Sequence, residues 1–377
     1  MRFLLFLAAL ASSAYVAFAI LQVRAFGRRR DRPWPGPAAT ILKPLRGEEP
    51  GLYDNLRSFC EQDYPVYQVV FGVRDAGDPA AAVVERLVRD LPGRDLALVV
   101  DDRVIGSNFK ASNLANMYAA AKHDLLVVSD SDMRVGPTYL GTVVAPLADP
   151  RVGVVTCLYS GRARPGLWSA LGAMFINEWF LPSVLVGRAF RPGRFCFGAT
   201  MAFRRQAFEA IGGFETLASY LADDYMLGAL MNARGLEVAL SSYVVENTVC
   251  EPDFQTLFRH ELRWARTIRS VEPLGYTFSF LTHSLVLSCA YLLVSSPGAL
   301  GGAVLGGSLA LRIAAHYAVR RSLDISEPSR PWLVPVRDGL CFVVWGASFL
   351  GRTVRWGGEK FSVGSDGRMR LNGRHRS

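Results

Sequence analysis

NFKASNLANMYAAAKHDLLVVSDSDMRV, residues 108–135, decides the fold. Residues 108–122 have helical spacing, and LLVV at 125–128 is an apolar run of buried-strand length. Two carboxylates, Asp130 and Asp132, come at once after it with Ser131 between them. The pattern recurs on both sides. Apolar runs at 39–45, 67–73, 96–100 and 152–158 alternate with helix-compatible stretches at 52–61, 80–91 and 137–147. This predicts an α/β domain over residues 38–255, a mostly parallel sheet with helices on both faces. Such sheets bind ligands beyond the carboxyl ends of their strands. The acids obey that rule: Asp75 and Asp78 come after 67–73, as Asp130 and Asp132 come after 125–128.

A carboxylate pair spaced i, i+2 at a strand end can offer hard oxygens to a divalent ion that bridges phosphates. The structural alternative is an Asp-Ser turn capping the next helix. Lys110 and Arg134 are either phosphate-neutralising charges or solvated surface residues. No G-x-x-x-x-G-K-[ST] is present, which excludes a P-loop nucleotidase. Asp223-Asp224 precedes the helix-like run 225–235, either as dipole-favoured acids or with one of them as a general base. His260-Glu261-Leu262-Arg263-Trp264 lies in an amphipathic juxtamembrane segment, 256–272. It reads either as a basic-aromatic interfacial anchor or as Arg263 and Trp264 closing over a diphosphate.

Of the 377 residues 50% are hydrophobic and 20% charged, which excludes a disordered chain. The six Cys contain no C-x-x-C, so neither a zinc site nor a disulfide framework is expected. The apolar excess sits at the two ends. Residues 3–23 carry no charge and suffice to cross a hydrocarbon core of about 30 Å. Arg24, Arg28, Arg29, Arg30 and Arg32 come next, so the expected anchor, 1–24, leaves the chain after Arg24 in the cytosol. A signal peptide cleaved near Ala17-Phe18-Ala19 is the rival; its basic cluster would precede the apolar run. A transmembrane hairpin is expected at 275–320, turning at Ser296-Pro297-Gly298 and ending on Arg320-Arg321. Gly298, Gly302 and Gly306 would let its helices approach. Residues 332–350 carry Arg337 and Asp338 and are expected to be re-entrant or interfacial; 352–377 is expected to be a cytosolic tail hairpin. The net charge of +9 suits an anionic membrane surface. No basic helix or aromatic-basic sheet motif points to nucleic acid.

LKPLRGEEPGLYDNLRSFCEQDYP (42–65), DAGDPA (75–80), the opening stretch, LADDYMLG (221–228) and HELRW (260–264) together resemble the ceramide glucosyltransferase family. The resemblance continues to the terminal WGGEKFSVGSDG. It implies a membrane-bound, inverting GT-A glycosyltransferase with a UDP-sugar donor and a membrane lipid acceptor, at the inner (cytoplasmic) membrane with a cytosolic catalytic domain. By the same resemblance, Asp78 helps hold the nucleotide and Asp130 with Asp132 forms a D-x-D motif for Mg2+ or Mn2+. Asp224 matches the catalytic base. Arg263 and Trp264 match the end of a (Q/R)-x-x-R-W motif in which His260 is a departure, able to bond a phosphate or the acceptor. FINEWFLPSVLVG (175–187) and RHELRWARTIR (259–269) look most like a hopanoid-biosynthesis branch, implying N-acetylglucosamine transfer to a hopanoid polyol; glucose transfer to ceramide is the alternative. A nucleotidyltransferase would share the sheet and the D-x-D but has no need of HELRW. A non-catalytic scaffold has no need of all six of Asp78, Asp130, Asp132, Asp224, Arg263 and Trp264.

Overall fold

The computed structural model describes residues 1–371 except 192, 194, 195, 296, 297, 352, 357, 358, 365 and 366. The chain forms two compact units. One comprises Arg30–Tyr159, Gly193–Thr248 and Trp356–Ser377; the other comprises Met1–Arg29, Ser160–Pro192 and Val249–Arg355. The single segment 38–255 expected for the catalytic domain is thus divided, because residues 160–192 pack with the apolar helices of the second unit.

The first unit is built on an eight-stranded sheet: β1 (Ala39–Pro44), β2 (Tyr67–Val73), β3 (Asp95–Val100), β4 (Leu125–Val128), β5 (Met133–Arg134), β6 (Val152–Ala163), β7 (Met201–Arg204) and β8 (Glu237–Val249). Their order is β3-β2-β1-β4-β7-β6-β8-β5. β1, β2, β3 and β4 pair in parallel, as expected. β7 runs antiparallel to both β4 and β6, and β5 antiparallel to β8, so the whole sheet is mixed. The burial patterns give the reason. β1, β2 and β4 are buried on both faces, as parallel strands between helices must be, whereas β8 alternates buried and half-exposed residues. Ile41, Val69 and Val127 fill the core on one face of the sheet, Leu42, Val70 and Val128 that on the other. A small sheet of β9 (Thr353–Trp356), β10 (Glu359–Val363) and β11 (Met369–Leu371) lies at the C-terminal end. Of the expected tail hairpin, residues 372–377 lie outside the described residues, as do residues 296 and 297 of the expected membrane turn.

Among the described residues of the second unit three helices are long and apolar enough to cross a membrane: Arg2–Gly27, Leu167–Phe190 and Ala299–Ser322. On the first, Ala9, Ser12, Val16, Ala19, Val23 and Phe26 are buried at alternating three- and four-residue steps. Leu4, Leu7, Leu10 and Leu21 face outward, as a helix in lipid requires. The expected first arm of the hairpin is not one helix. Pro273–Thr282 and Ser284–Ser295 meet at 61° across His283, and are long and apolar enough to span only as a bent pair. Nor do Gly302 and Gly306 make the close approach, since a Cβ on either meets nothing within 4 Å. Gly301 does: a Cβ there would lie 2.7 Å from Leu292 Cδ1, because the contact face is turned about 100° from the one expected. Leu167–Phe190, expected inside the sheet domain, is 78% buried and is interrupted by a π-helical turn, Ile176–Phe180. Residues 332–350 hold the helix Val334–Ser348, about 22 Å long and shorter than the hydrocarbon core. Its two charges are buried and paired, Arg337 with both oxygens of Glu261 (2.7 Å each) and Asp338 with Arg312 (2.6 and 2.8 Å).

Candidate active site

The site forms where β1, β2 and β4 end. The helix Phe109–Tyr118 is capped by Asn108, which accepts from Ala111 N at 2.9 Å. It lies so near β2 that a Cβ on Gly72 would be 2.3 Å from Met117 Sδ, and Asn113 Nδ2 donates to Gly72 O at 2.8 Å. This close seating puts Lys110, in the first turn, at the end of β4, with Nζ 2.5 Å from Asp130 Oδ1. Burial alone would lower the Lys110 pKa, but Asp130, Asp223 and Asp224 around it raise it above the usual value. Lys110 is therefore a site charge. Arg134, exposed on β5, is a surface residue.

Lys43 was not singled out from the sequence. It is fully buried on β1, with Nζ 3.6 Å over the Phe59 ring, bonded to the Asp130 carbonyl and 3.4 Å from Ser129 Oγ. Burial pushes its pKa down to about 7, against the pull of Asp130 and Asp132. A lysine inside the apolar run ATILKPL was the available signal. Asp132 Oδ2 accepts from Asn247 Nδ2 at 2.8 Å, while Oδ1 is buried without a partner. Burial, then Asp130, then Glu49 raise this carboxyl to about 7. An unmatched buried carboxylate oxygen beside two further acids fits a divalent cation. Among the described residues no group of three or more His, Cys, Asp or Glu could hold one alone. The donor set therefore suits an ion whose shell is completed by phosphate oxygens, as is usual for Mg2+.

Asp223 and Asp224 open the helix Asp223–Ala233, and neither is its N-cap. Asp223 is buried. Asp224 is half-buried, its Oδ2 accepting from Gly198 N at 2.8 Å and its Oδ1 from Tyr225 N at 2.7 Å. Burial first and Asp223 second raise Asp224 to about 6, with Lys110 opposing. Gly198, also missed from sequence, stands among these charged groups. A Cβ there would stand 3.2 Å from Lys110 Nζ, 3.3 Å from Asp130 Oδ2 and 3.4 Å from Asp224 Oδ2. The structure therefore gathers Asp130, Asp224 and Lys110 around one small space. Asp78 lies beyond the end of β2 as the N-cap of Pro79–Asp90, accepting from Ala80 N at 2.9 Å and Gly47 N at 2.8 Å. It pins the loop after β1.

His260, Arg263 and Trp264 belong to the other unit, on the helix Phe254–Val271. His260 Nδ1 is 2.7 Å from Glu251 Oε1, and its ring lies 4.3 Å from that of Trp264, one turn on. Trp264 stacks on Phe175 at 5.7 Å.

A family model described as Glycosyl transferase family 21 matches residues 4–369. The chain belongs to glycosyl transferase family 21. This family 21 chain is 25% identical over 239 residues to ceramide glucosyltransferase 1 of Caenorhabditis elegans, a match covering 63% of the chain and 51% of that protein. It is 34% identical over 127 residues to the ceramide glucosyltransferase of Komagataella phaffii, covering 32% and 25%. The chain thus spans about half the length, or less, of the curated relatives it matches. Its fold is that of the mannosyltransferase PcManGT from Pyrobaculum calidifontis, solved with GDP-Man and Mn2+. The TM-score is 0.55 at 20% identity, over 92% of this chain and 99% of that one. By their chemistry, in this family 21 chain Asp224 can accept a proton, Lys110 can meet an anion, and Asp130 with Asp132 can share a cation.

Proposed function

We propose that this chain is a membrane-bound, inverting glycosyltransferase that moves glucose from UDP-glucose to the hydroxyl of ceramide. The observation that carries the reading is Asp224, a half-buried carboxyl raised to about 6 and held by the Gly198 N–H beside Asp130 and Lys110. A lipid hydroxyl oxygen forms the new bond to the anomeric carbon while its proton passes to Asp224, and the bond from that carbon to the diphosphate breaks. One base and one displacement invert the anomeric centre. Lys110 offsets negative charge on the departing UDP. Asp130 and Asp132 would hold Mg2+ or Mn2+, which when bound supplies positive charge to the leaving group. Asp78 supports the nucleotide through the loop it fixes at Gly47. For His260, Arg263 and Trp264 the reading rests on the motif alone, with Arg263 meeting the diphosphate. The arginines at 24–32 favour a cytosolic face of the inner membrane and contact with anionic lipid.

The relatives' names favour ceramide over the hopanoid polyol suggested by 175–187, and both acceptors present a hydroxyl. Membranes incubated with labelled UDP-glucose or UDP-N-acetylglucosamine, against ceramide and a hopanoid polyol, decide between them once the lipid product is resolved. Glucosylceramide is expected. A hopanoid product would move the reading to the other branch, and the absence of any labelled lipid would end it. A nucleotidyltransferase would instead release pyrophosphate from a nucleoside triphosphate.

A further inference from the structure

The β1–β4 ladder ends at Leu42 opposite Val128, and Asp130 and Asp132 lie just beyond it, in a turn closed from Met133 N to Asp130 O. That closing bond is long, 3.4 Å, and holds the turn only weakly by itself. Both side chains of the turn are already engaged. Asn247 Nδ2 donates to Asp132 Oδ2 at 2.8 Å, and Lys110 Nζ meets Asp130 Oδ1 at 2.5 Å. The backbone between them, which sets how the two carboxylates face each other, needs a separate hold. Alternation along β1 turns Lys43 to the face of Ile41, into the core that contains Phe59. From there its Nζ donates to Asp130 O, the carbonyl that starts the turn, with Ser129 Oγ 3.4 Å away. Ser129 Oγ gives its own proton to Ala199 O at 2.8 Å, which leaves an oxygen lone pair for the lysine. A lysine with no exposed surface is costly in an apolar core, and a methionine would fill the same space without that cost. Stability alone does not account for it.

We propose that Lys43 is a positioning residue for the Asp130–Asp132 turn, holding the Asp130 carbonyl so that the two carboxylates face one divalent cation together. The inference rests on the cation reading of these two acids given above and adds the residue that shapes their turn. The bond needs only an N–H, which the amine has in either protonation state. Replacing such an outer hydrogen-bond partner of a metal site typically costs about 10–100-fold in metal affinity. The sign of the effect separates this role from two others. A lysine acting by charge alone repels the cation, so its removal would tighten binding. A lysine that only packs would leave binding unchanged.

The test titrates the purified full chain with Mn2+ at a fixed excess of UDP and follows the electron paramagnetic resonance signal of the free ion. An Asp132→Asn chain gives the baseline for ion held by UDP or elsewhere. Lys43→Met keeps the stem and removes the donor. It should bind Mn2+ about tenfold more weakly or worse, with a melting temperature within a few degrees of wild type. Lys43→Gln keeps an N–H donor without the charge, on a shorter stem, and should fall between Lys43→Met and wild type. Mn2+ affinity equal to or tighter than wild type in a folded Lys43→Met overturns the proposal. If only Lys43→Gln folds it decides alone, weaker binding sustaining the proposal and unchanged binding overturning it. Failure of both variants to fold would make the lysine structural and also overturn it. A wild type that binds no Mn2+ above the baseline would remove the cation from Asp130 and Asp132, and the inference with it. Normal wild-type binding with unaltered variants would remove the inference alone.

Discussion

Asp224 and Gly198 work as a pair: the glycine N–H aims the carboxylate, and its missing side chain leaves the space the carboxylate faces. Asp224→Asn should lower turnover by about 10²–10⁴-fold while UDP-sugar affinity stays within a few fold, since the amide keeps shape but cannot take the proton. Asp223→Asn, altering a buried neighbour, should leave chemistry largely intact; near-normal turnover in Asp224→Asn would end the general-base assignment. Only the ionised carboxylate accepts a proton, so kcat/KM should rise with pH up to about 6 and level off above it. A profile already flat well below that point would contradict the assignment. Gly198 does not have a positive φ, so the backbone tolerates alanine there. Gly198→Ala should therefore keep the melting temperature but lose about tenfold in kcat/KM, through crowding worth about 1–3 kcal/mol. Chelation by EDTA should abolish transfer and Mg2+ or Mn2+ restore it; full activity in thoroughly chelated membranes would remove the ion from Asp130 and Asp132. The acids were legible because carboxylates at strand ends and helix starts are exceptional against apolar surroundings. Lys43 and Gly198 were not. A lone lysine in a strand reads as an outward-facing residue, and a glycine carries no charge to betray the cation and carboxylates gathered about it.

At the scale of elements, the parallel half of the sheet was legible because strands buried on both faces are continuous apolar runs. The antiparallel half was harder: β6 was legible only in its apolar first part, and the alternating β8 and four-residue β7 are weak signals. Leu167–Phe190 escaped notice as a candidate span because Asn177, Glu178 and Arg188 interrupt its apolar run. Helix faces were legible only to within one residue, as the glycines of Ala299–Ser322 illustrate. Gly301→Leu should drive its side chain into Leu292 and cost about 1–3 kcal/mol, while Gly302→Leu and Gly306→Leu should be nearly silent. Thermal unfolding in one detergent compares the three, and equal losses at all three would show that Gly301 does not make the contact.

For the whole molecule, sheet pairing constrains the number of crossings. β6 and β7 are hydrogen-bonded neighbours, Val154 opposite Phe203, so residues 163 and 201 lie on the same side of any bilayer. The apolar excursion between them makes no net crossing, despite its length. Under the proposed topology, in which Arg2–Gly27, the bent pair and Ala299–Ser322 each cross once, residues 30–248 and the tail share one side, which the positive-inside bias of the arginines at 24–32 assigns to the cytosol. A green fluorescent protein fused after Ser377 should fluoresce, and an export-dependent reporter at the same place should be silent. The reverse pattern would require another crossing.

The small C-terminal sheet has a consequence for the order of synthesis. Gly367 O accepts from Leu221 N, Met369 N donates to Ser219 O, and Tyr220 bridges Arg368, all just ahead of Asp223-Asp224. A nascent chain still on the ribosome can have made Asp130, Asp132 and Asp224 without the strand that holds the loop ahead of Asp223-Asp224 in place. Residues 367–369 thus fasten a loop made long before them, and a chain terminated ahead of them lacks that fastening.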